Sequence, residues 1–172
     1  MFVSKSQIAT PKMSFETIYR VYYSKVFRLC MGYVNDEDWA KDLTQETFIL
    51  VWQKLGQFRK ESAIGTWIFR IAVNNCLRQL EKSKRTAWTD LYFQVSDTPH
   101  EETEIRMRLL YKCISELPET DRIIISLELE DLPQTEIAAI VGLSETNVRV
   151  RIHRIKEKLF HKINEYEQSD RP

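Results

Sequence analysis

Apolar side chains recur every three or four residues along most of the chain, and this period predicts helices rather than strands. Capping residues support the helix starts, because Ser14 precedes the first helix and Asn35 and Asp36 precede the second. In the first half the pattern predicts three helices, at about residues 15–32, 36–55 and 63–84. We expect each helix to bury one face, so that the three form a small helical domain.

The helical period fades after the third helix and returns near residue 102. The stretch between contains Pro99, and residues 87–103 include four acids and no lysine or arginine, which is typical of a linker. Beyond it the pattern predicts four more helices, at about 102–117, from Pro118, at 134–141 and at 145–161. The expected fold class is all-α: two small helical domains, at 12–85 and 104–165, joined by a flexible linker at 86–103.

The composition supports a folded helical protein. Of the 172 residues 43% are hydrophobic, which suffices for a packed core, and only four glycines and five prolines interrupt the pattern. Cys30, Cys76 and Cys113 are far apart and have no histidine at ligand spacing, so we expect no disulfide framework, no metal site and no cofactor. All three are expected to be small core residues in a reducing compartment.

The chain lacks the apolar runs that membranes require. The N-terminus, MFVSKSQIAT, has no long apolar segment of the kind found in signal peptides, and no stretch approaches bilayer length. We therefore expect a cytoplasmic protein that does not insert into a membrane.

The net charge is zero, but the charges are unevenly distributed. Residues 1–86 carry 14 lysines and arginines against 8 acids, a net charge of +6. Residues 104–172 carry 11 bases and 13 acids, and six of the bases cluster between positions 149 and 162. Two basic regions on either side of an acidic linker are typical of nucleic-acid contact, although a basic helix face can also be merely solvated.

A helix-turn-helix pattern occupies residues 132–159. The short first helix ends at Gly142, which can adopt the left-handed conformation, and Ser144 can cap the next helix. The predicted inward residues of the second helix are Val148, Ile152, Ile155 and Leu159. Its outward set combines an amide, arginines and small groups, as base reading in a major groove requires: Thr146, Asn147, Arg149, Val150, His153 and Arg154.

The second helix carries an acidic and polar face inside a basic segment. The polar residues of this face are Asp38, Asp42, Gln45 and Glu46. The residues expected to supply core surface are Trp39, Leu43, Phe48, Leu50 and Trp52. An acidic face disfavours phosphate and suits a basic protein surface, unless it is simply solvated. No nucleophile, metal cluster or glycine-rich phosphate loop accompanies these carboxylates, so we expect no catalytic residue and no enzyme.

Basic, amide and aromatic side chains are mixed in the segment FRKESAIGTWIFRIAVNNCLRQLEKSKR, residues 58–85. Contact with single-stranded or unpaired DNA requires such a mixture. Trp67 and Phe69 are nevertheless expected in the core. Asn74 could serve either a buried polar network or DNA contact.

Three of these segments together resemble the signatures of bacterial RNA polymerase sigma factors. They are DLTQETF, FRKESAIGTWIFRIAVNN and LPQTEIAAIVGLSETNVRVRIHRIKEKL. The length and two-domain layout are similar to the extracytoplasmic-function group, and the resemblance covers about 15–85 and 104–162. It implies a non-catalytic initiation factor that binds core RNA polymerase and directs promoter recognition, in response to a stress or envelope signal.

The resemblance also implies roles for particular residues. The residues implied to dock on the β′ clamp of core RNA polymerase, whose β subunit is a further partner, are Asp38, Asp42, Gln45 and Glu46. The residues implied to bind and open the minus-ten element, with one base flipped into a loop pocket, are Phe58, Arg59, Lys60, Ser62, Ala63, Ile64, Asn74 and Arg78. The residues implied to read the duplex minus-thirty-five element are Thr146, Asn147, Arg149, Val150, His153 and Arg154. An anti-sigma factor that masks these surfaces is expected as another partner.

Three positions depart from the family pattern. Many relatives have threonine and serine where this chain has Asn147 and Val150, so promoter preference does not carry over. Lys41 lies amid the acidic docking face.

The residues alone also leave two other functions open: a stand-alone helix-turn-helix regulator with a dimerising or ligand-sensing N-terminal domain, and a helical scaffold that binds only proteins.

Overall fold

The computed structural model describes residues 14–85 and 102–169, with side chains described for 14–79 and 103–168. Over these ranges it contains seven α-helices and no strand, which confirms the all-α prediction. The helices are α1 (Phe15–Val34), α2 (Glu37–Lys54), α3 (Ile64–Arg85), α4 (Glu102–Ser115), α5 (Glu119–Glu128), α6 (Gln134–Val141) and α7 (Glu145–Ser169). A turn of 3₁₀-helix, Leu55–Gln57, follows α2. The predicted linker lies outside the described residues, apart from its last two positions, which belong to α4.

The ends of α1 and α2 follow the capping residues in the sequence. The Ser14 hydroxyl accepts a hydrogen bond from the Thr17 N–H at 3.3 Å, and the Asp36 carboxylate accepts one from the Trp39 N–H at 2.7 Å. Helix α1 continues two residues past the predicted end at Gly32. It ends at Asn35, which takes the left-handed conformation at φ 50° and so directs the chain into α2.

Helix α7 extends eight residues past the predicted end at 161 because its last turns pack against α4. Glu116, which follows α4, is bonded to Lys162 and accepts a hydrogen bond from the Tyr166 hydroxyl at 2.9 Å. The Lys112 ammonium lies 4.3 Å from the centre of the Tyr166 ring. These contacts hold the last turns of α7 in place, where the sequence no longer shows the apolar period of a helix.

The first half packs α2 between α1 and α3. One face of α2 is buried, and Phe48 on this face contacts an aromatic group on α1 that includes Tyr19 and Tyr23. The interface of α2 with α3 contains a buried amide, because Asn75 Nδ2 donates to the Leu43 carbonyl at 3.2 Å. Cys30 and Cys76 are buried in the same core, with their sulfur atoms 3.8 Å apart.

The second half is built around α5, which contacts α4, α6 and α7. Most of this helix is buried, and its buried apolar members are Ile123, Ile124, Ile125 and Leu127. The predicted inward stripe of α7 is confirmed, since Val148, Ile152, Ile155 and Leu159 are all buried. This packing turns the opposite side of α7 outward.

The two halves pack directly against each other, with α1 against α4 and α5 and α3 against α6. Their buried residues form one continuous apolar cluster. Gly32 allows the close approach of α1 and α5, because a Cβ there would lie 2.2 Å from Ser126 Oγ. An ion pair joins the halves, since Arg28 Nε lies 2.6 Å from Glu130 Oε1. The sequence did not predict this packed arrangement.

Candidate nucleic-acid and protein interfaces

The polar face of α2 is exposed along its whole length. The four residues that the sequence singled out, Asp38, Asp42, Gln45 and Glu46, all lie at the surface. Glu46 is tied to α3, because Gln79 donates a hydrogen bond to its carboxylate at 2.8 Å. Helical geometry aligns these residues in a stripe, which presents three carboxylates at the surface.

Two large apolar side chains continue this stripe towards the end of α2. Ile49 is 55% exposed and Trp52 is 65% exposed, so the expectation that Trp52 supplies core surface is wrong. Trp52 lies three and seven residues beyond Ile49 and Gln45, on the same side of the helix. Such an exposed aromatic beside charged residues is typical of a protein-binding surface. The helical spacing in the sequence already places Trp52 on the same side as the polar residues of α2. The expectation was wrong because it followed the general preference of tryptophan for protein cores.

Lys41 lies beside the acidic stripe and is held by other residues of α2. Its ammonium is 2.8 Å from a carboxylate oxygen of Glu37 and 3.9 Å from one of Asp38. The hydrogen bond to Glu37 raises the pKa of Lys41, so the side chain stays protonated. Glu37 is the nearer carboxylate and lies outside the stripe, so it offsets this positive charge and the stripe keeps its acidic character.

The loop between α2 and α3 carries the first group of predicted DNA-binding residues. Phe58 packs on Trp67 of α3, with the ring centres 5.1 Å apart, which fixes the start of the loop. Arg59, Lys60 and Ala63 are exposed, and Lys60 adopts a left-handed conformation at φ 58° that turns the chain. The other two predicted loop residues, Ser62 and Ile64, are half-buried. The loop opens into a cavity of about 700 Å³.

The exposed side of α3 extends the polar surface of this loop. Asn74 and Arg78 are both exposed, and Arg78 donates a hydrogen bond at 3.0 Å to the buried amide of Asn75. The buried polar network therefore belongs to Asn75, which leaves Asn74 at the surface. Arg70 precedes Asn74 by one turn on the same side and is also exposed, so it adds a cation that the predicted set did not include. Phe69 is buried and Trp67 half-buried, in agreement with their expected core role.

The turn between α6 and α7 has the predicted geometry. Gly142 adopts a left-handed conformation at φ 73°, and its N–H donates to the Ala138 carbonyl at 2.9 Å. The Ser144 hydroxyl accepts a hydrogen bond from the Asn147 N–H at 3.2 Å and so caps α7. These two residues set the angle at which α7 leaves α6, as in a helix-turn-helix.

The outward side of α7 presents the second group of predicted DNA-binding residues. All six are exposed, namely Thr146, Asn147, Arg149, Val150, His153 and Arg154. Arg149 lies 3.1 Å from Glu145, and His153 lies 3.6 Å from Glu157. These pairs are one turn apart on the exposed side of the helix and contribute little to stability, so a phosphate can compete for the basic side chains.

Arg151 joins this surface to the core of the second half, and the predicted set did not include it. Its Nη1 donates to Asp121 at 2.7 Å and its Nε to Asn147 Oδ1 at 3.0 Å. Asp121 precedes Arg151 by 30 residues, so no local pattern in the sequence pairs them. Only the spacing of Asn147 and Arg151, one helical turn, could have indicated the second contact.

Two other kinds of site are missing over the described ranges. There is no group of three or more histidine, cysteine or acidic residues that could hold a metal ion. No helix there is long and apolar enough to cross a membrane.

Comparison with protein families identifies the two halves. The model for sigma-70 region 2 matches residues 18–86, and the model for sigma-70 region 4 matches residues 107–159. The ECF RNA polymerase sigma-E factor of Haemophilus influenzae is 33% identical over 169 residues, which cover 88% of each chain. The RNA polymerase sigma-H factor of Pseudomonas aeruginosa is 30% identical over 164 residues, covering 86% of this chain and 85% of the relative.

The chain therefore belongs to the extracytoplasmic-function (ECF) group of sigma-70 factors. It is a non-enzymatic initiation factor that binds core RNA polymerase and directs promoter recognition. The stand-alone regulator and the protein scaffold are excluded as its main function.

Solved structures agree on the fold. The sigma factor RpoE from Bartonella quintana, in complex with the anti-sigma factor NepR, has a TM-score of 0.73 at 19% identity, covering 91% of this chain and 98% of that one. CnrH, in complex with the cytosolic domain of CnrY, has a TM-score of 0.66 at 22% identity, covering 91% of this chain and 89% of that one.

Proposed function

We propose that the stripe on α2 is the surface that docks on core RNA polymerase, on its β′ clamp. The carboxylates of Asp38, Asp42 and Glu46, with the amide of Gln45, would meet a basic surface. The exposed ring of Trp52 would supply the apolar contact, since buried aromatics dominate the energy of most protein interfaces. The combination of acidic and aromatic side chains in one stripe, within an otherwise basic half, is the observation that carries the proposal.

The loop before α3 would bind the minus-ten element and hold a base that has left the stack. The exposed cations Arg59 and Lys60 support this role, because the phosphates of an unpaired strand need positive charge. The loop side of the cavity would receive the base once α6, which lines the other side, has moved away. Asn74 and Arg78 would extend the contact along α3. The outward side of α7 would read the minus-thirty-five element in the major groove.

The packed arrangement of the two halves has a consequence for promoter binding. By their names the minus-ten and minus-thirty-five elements are about 25 base pairs apart, which corresponds to about 85 Å of duplex at about 3.4 Å per base pair. In the packed arrangement, however, Arg70 of α3 donates to the Ala139 carbonyl of α6 at 3.4 Å, and Thr66 bonds Glu136. The two DNA-binding surfaces would therefore have to separate before both elements are bound. We infer that the packed form is the one present away from the promoter.

We also propose that the protein works in the cytoplasm and responds to a stress or envelope signal through an anti-sigma factor. One structure with a similar fold is the sigma factor RpoE in complex with the anti-sigma factor NepR, and another is CnrH in complex with the cytosolic domain of CnrY. A partner that binds the packed form would keep the two DNA-binding surfaces from separating.

Run-off transcription with purified core polymerase, over a promoter library, tests this proposal. We expect promoter-dependent transcripts only when the protein is added. Charge reversal of Asp42 and Glu46 should abolish them by preventing assembly with the polymerase. The site assignments fail if these variants assemble with polymerase as well as the unaltered protein does.

A further inference from the structure

We propose that Arg151 is a positioning residue that fixes how Asn147 reads DNA. In this arrangement the NH₂ group of the Asn147 amide faces the bases and the amide oxygen does not. Asn147 would then select guanine or thymine at the position it faces, and not adenine. This inference rests on the proposed reading of the minus-thirty-five element by α7.

The geometry of three side chains carries the inference. Arg151 bonds two acceptors at once: Asp121 Oδ1 at 2.7 Å through Nη1, and Asn147 Oδ1 at 3.0 Å through Nε. The Asp121 side chain is only 12% exposed and that of Arg151 is 38% exposed. The acid therefore lies behind the arginine and restrains it, because a buried carboxylate needs its hydrogen-bonded cation.

The chemistry of the guanidinium decides which end of the amide it meets. Arginine carries only hydrogen-bond donors, so Asn147 must turn its oxygen towards Arg151 and its NH₂ group away. Among the described residues, no hydrogen bond uses this NH₂ group. The donor end is thus available on the exposed side of α7.

The orientation of the amide determines which base edges fit. The common asparagine–adenine pair uses both ends of the amide, since the oxygen accepts from N6 and the NH₂ donates to N7. In this protein the Asn147 amide oxygen would have to accept from adenine N6 and from the Arg151 guanidinium at the same time. The hydrogen bond to the charged guanidinium is the stronger of the two. Guanine O6 and thymine O4 accept from a donor, so they fit the amide as it is held, whereas adenine places the N6 amino donor at the corresponding position.

Neighbouring residues support a role at the DNA surface. Asp121, Asn147 and Arg151 help to line a recess of about 260 Å³ at the edge of α7 that faces α5. Val150 lies at the same recess and is 42% exposed. A small apolar side chain there can contact a thymine methyl group, which is compatible with the proposed preference.

The test uses the holoenzyme, formed from this chain and core polymerase, and promoters randomised in the minus-thirty-five element. Asn147→Asp exchanges the NH₂ donor for an acceptor and keeps an oxygen for Arg151. We expect it to change one position from guanine or thymine to cytosine, by about tenfold. Arg151→Gln should make adenine acceptable at that same position and leave the others unchanged. Asp121→Asn should act in the same direction, and it serves as the second variant if Arg151→Gln does not fold.

Three outcomes would overturn the inference. One is a preference of the unaltered protein for adenine at the position that Asn147→Asp changes. Another is equal weakening of all sequences by Arg151→Gln with a salt dependence reduced by about one charge, because that is the behaviour of a phosphate contact. The third is no change at any position in Asn147→Asp. If Arg149→Ala and Arg154→Ala still weaken binding in that last case, the role of α7 stands and only this inference fails.

Discussion

Arg28 and Glu130 are 102 positions apart in the chain and form a two-fold hydrogen-bonded ion pair across the two halves. Nε donates to Oε1 at 2.6 Å and Nη2 to Oε2 at 2.7 Å. The Glu130 side chain is only 3% exposed, whereas that of Arg28 is 43% exposed. A buried carboxylate without its cation is costly, so this pair favours one relative position of the halves over all others. The hydrogen bond to Glu130 also raises the pKa of Arg28.

Glu130→Gln is expected to loosen the packing of the two halves. The neutral amide loses the charge-assisted bonds to Arg28, which should cost about 1–3 kcal/mol of the packed form. Small-angle scattering should then show a larger radius of gyration, and the holoenzyme should bind promoter DNA more tightly because less energy is needed for opening. Glu128→Gln is the matched control, since Glu128 pairs with Lys156 at 2.7 Å inside the second half. An unchanged radius of gyration in Glu130→Gln would contradict the role of the pair.

Gly32→Ala is expected to push α5 away from α1. The added Cβ would lie 2.2 Å from Ser126 Oγ and 3.2 Å from Ser126 Cβ, so the helices must shift. We expect a loss of about 1–3 kcal/mol in the free energy of unfolding, measured by urea denaturation. When Gly32→Ala is introduced into a Ser126→Gly background, it should lower the free energy of unfolding much less, because Ser126 Oγ and Cβ are both absent there. Equal costs in the two backgrounds would mean that this contact is not the cause.

Ser126→Ala is expected to stabilise the protein. The Ser126 hydroxyl is buried and has no hydrogen-bond partner within the described part of the chain. Replacing it by hydrogen removes the cost of an unsatisfied polar group, about 1 kcal/mol or more. Thermal denaturation measures the effect, and a lower melting temperature would show that the hydroxyl has a partner in solution.

Trp52→Ala is expected to weaken the binding of core polymerase by tenfold or more, as for other aromatic residues at the centre of interfaces. The fold should be nearly unaffected, because the side chain is 65% exposed. Phe160→Ala provides a matched control, since Phe160 is equally exposed but lies on α7. Binding measured by fluorescence titration should be unchanged in the control. The docking surface would need revision if both variants bound polymerase equally well.

Replacement of Arg149 and Arg154 by alanine is expected to weaken binding to minus-thirty-five duplexes and leave assembly with core polymerase intact. Removal of a contact with guanine should cost about 1–3 kcal/mol at one base pair, whereas removal of a phosphate contact should lower the salt dependence by about one charge. Arg108→Ala is the control, because Arg108 is an exposed arginine on α4 that pairs with Glu104. Equal losses in all three variants would indicate a general charge effect and not a reading surface.

The three cysteines are expected to be unreactive in the folded protein. The hydrogen bond to Cys30 and burial raise the pKa of the Cys76 thiol, and burial raises that of Cys113. A raised pKa lowers the fraction of thiolate at neutral pH, and the thiolate is the reactive form. A thiol-specific dye should therefore label the native protein only as fast as it unfolds, and label all three cysteines in denaturant. Rapid labelling of native protein would show an accessible thiol.

Local chemistry made much of the fold predictable. Ser14, Asp36 and Ser144 cap helices in the structure as their residue types indicate, and Gly142 ends α6 with the left-handed conformation that glycine allows. Helical spacing likewise predicted the outward side of α7. The assignment of the residues on that side to promoter reading stays a prediction, since it came from the family resemblance.

Contacts between distant segments decided the remainder. Trp52 was expected in the core but is exposed, because α2 turns it away from α1 and α3. The partnership of Arg151 with Asp121 depends on how α5 packs against α7. The sequence by itself determined the seven helices of the described ranges and the caps at Ser14, Asp36 and Ser144, since each depends on residues close together in the chain. Only the tertiary structure decided that the two halves close on each other, because the Arg28–Glu130 pair and the Gly32–Ser126 contact join residues about a hundred positions apart, which no local pattern relates.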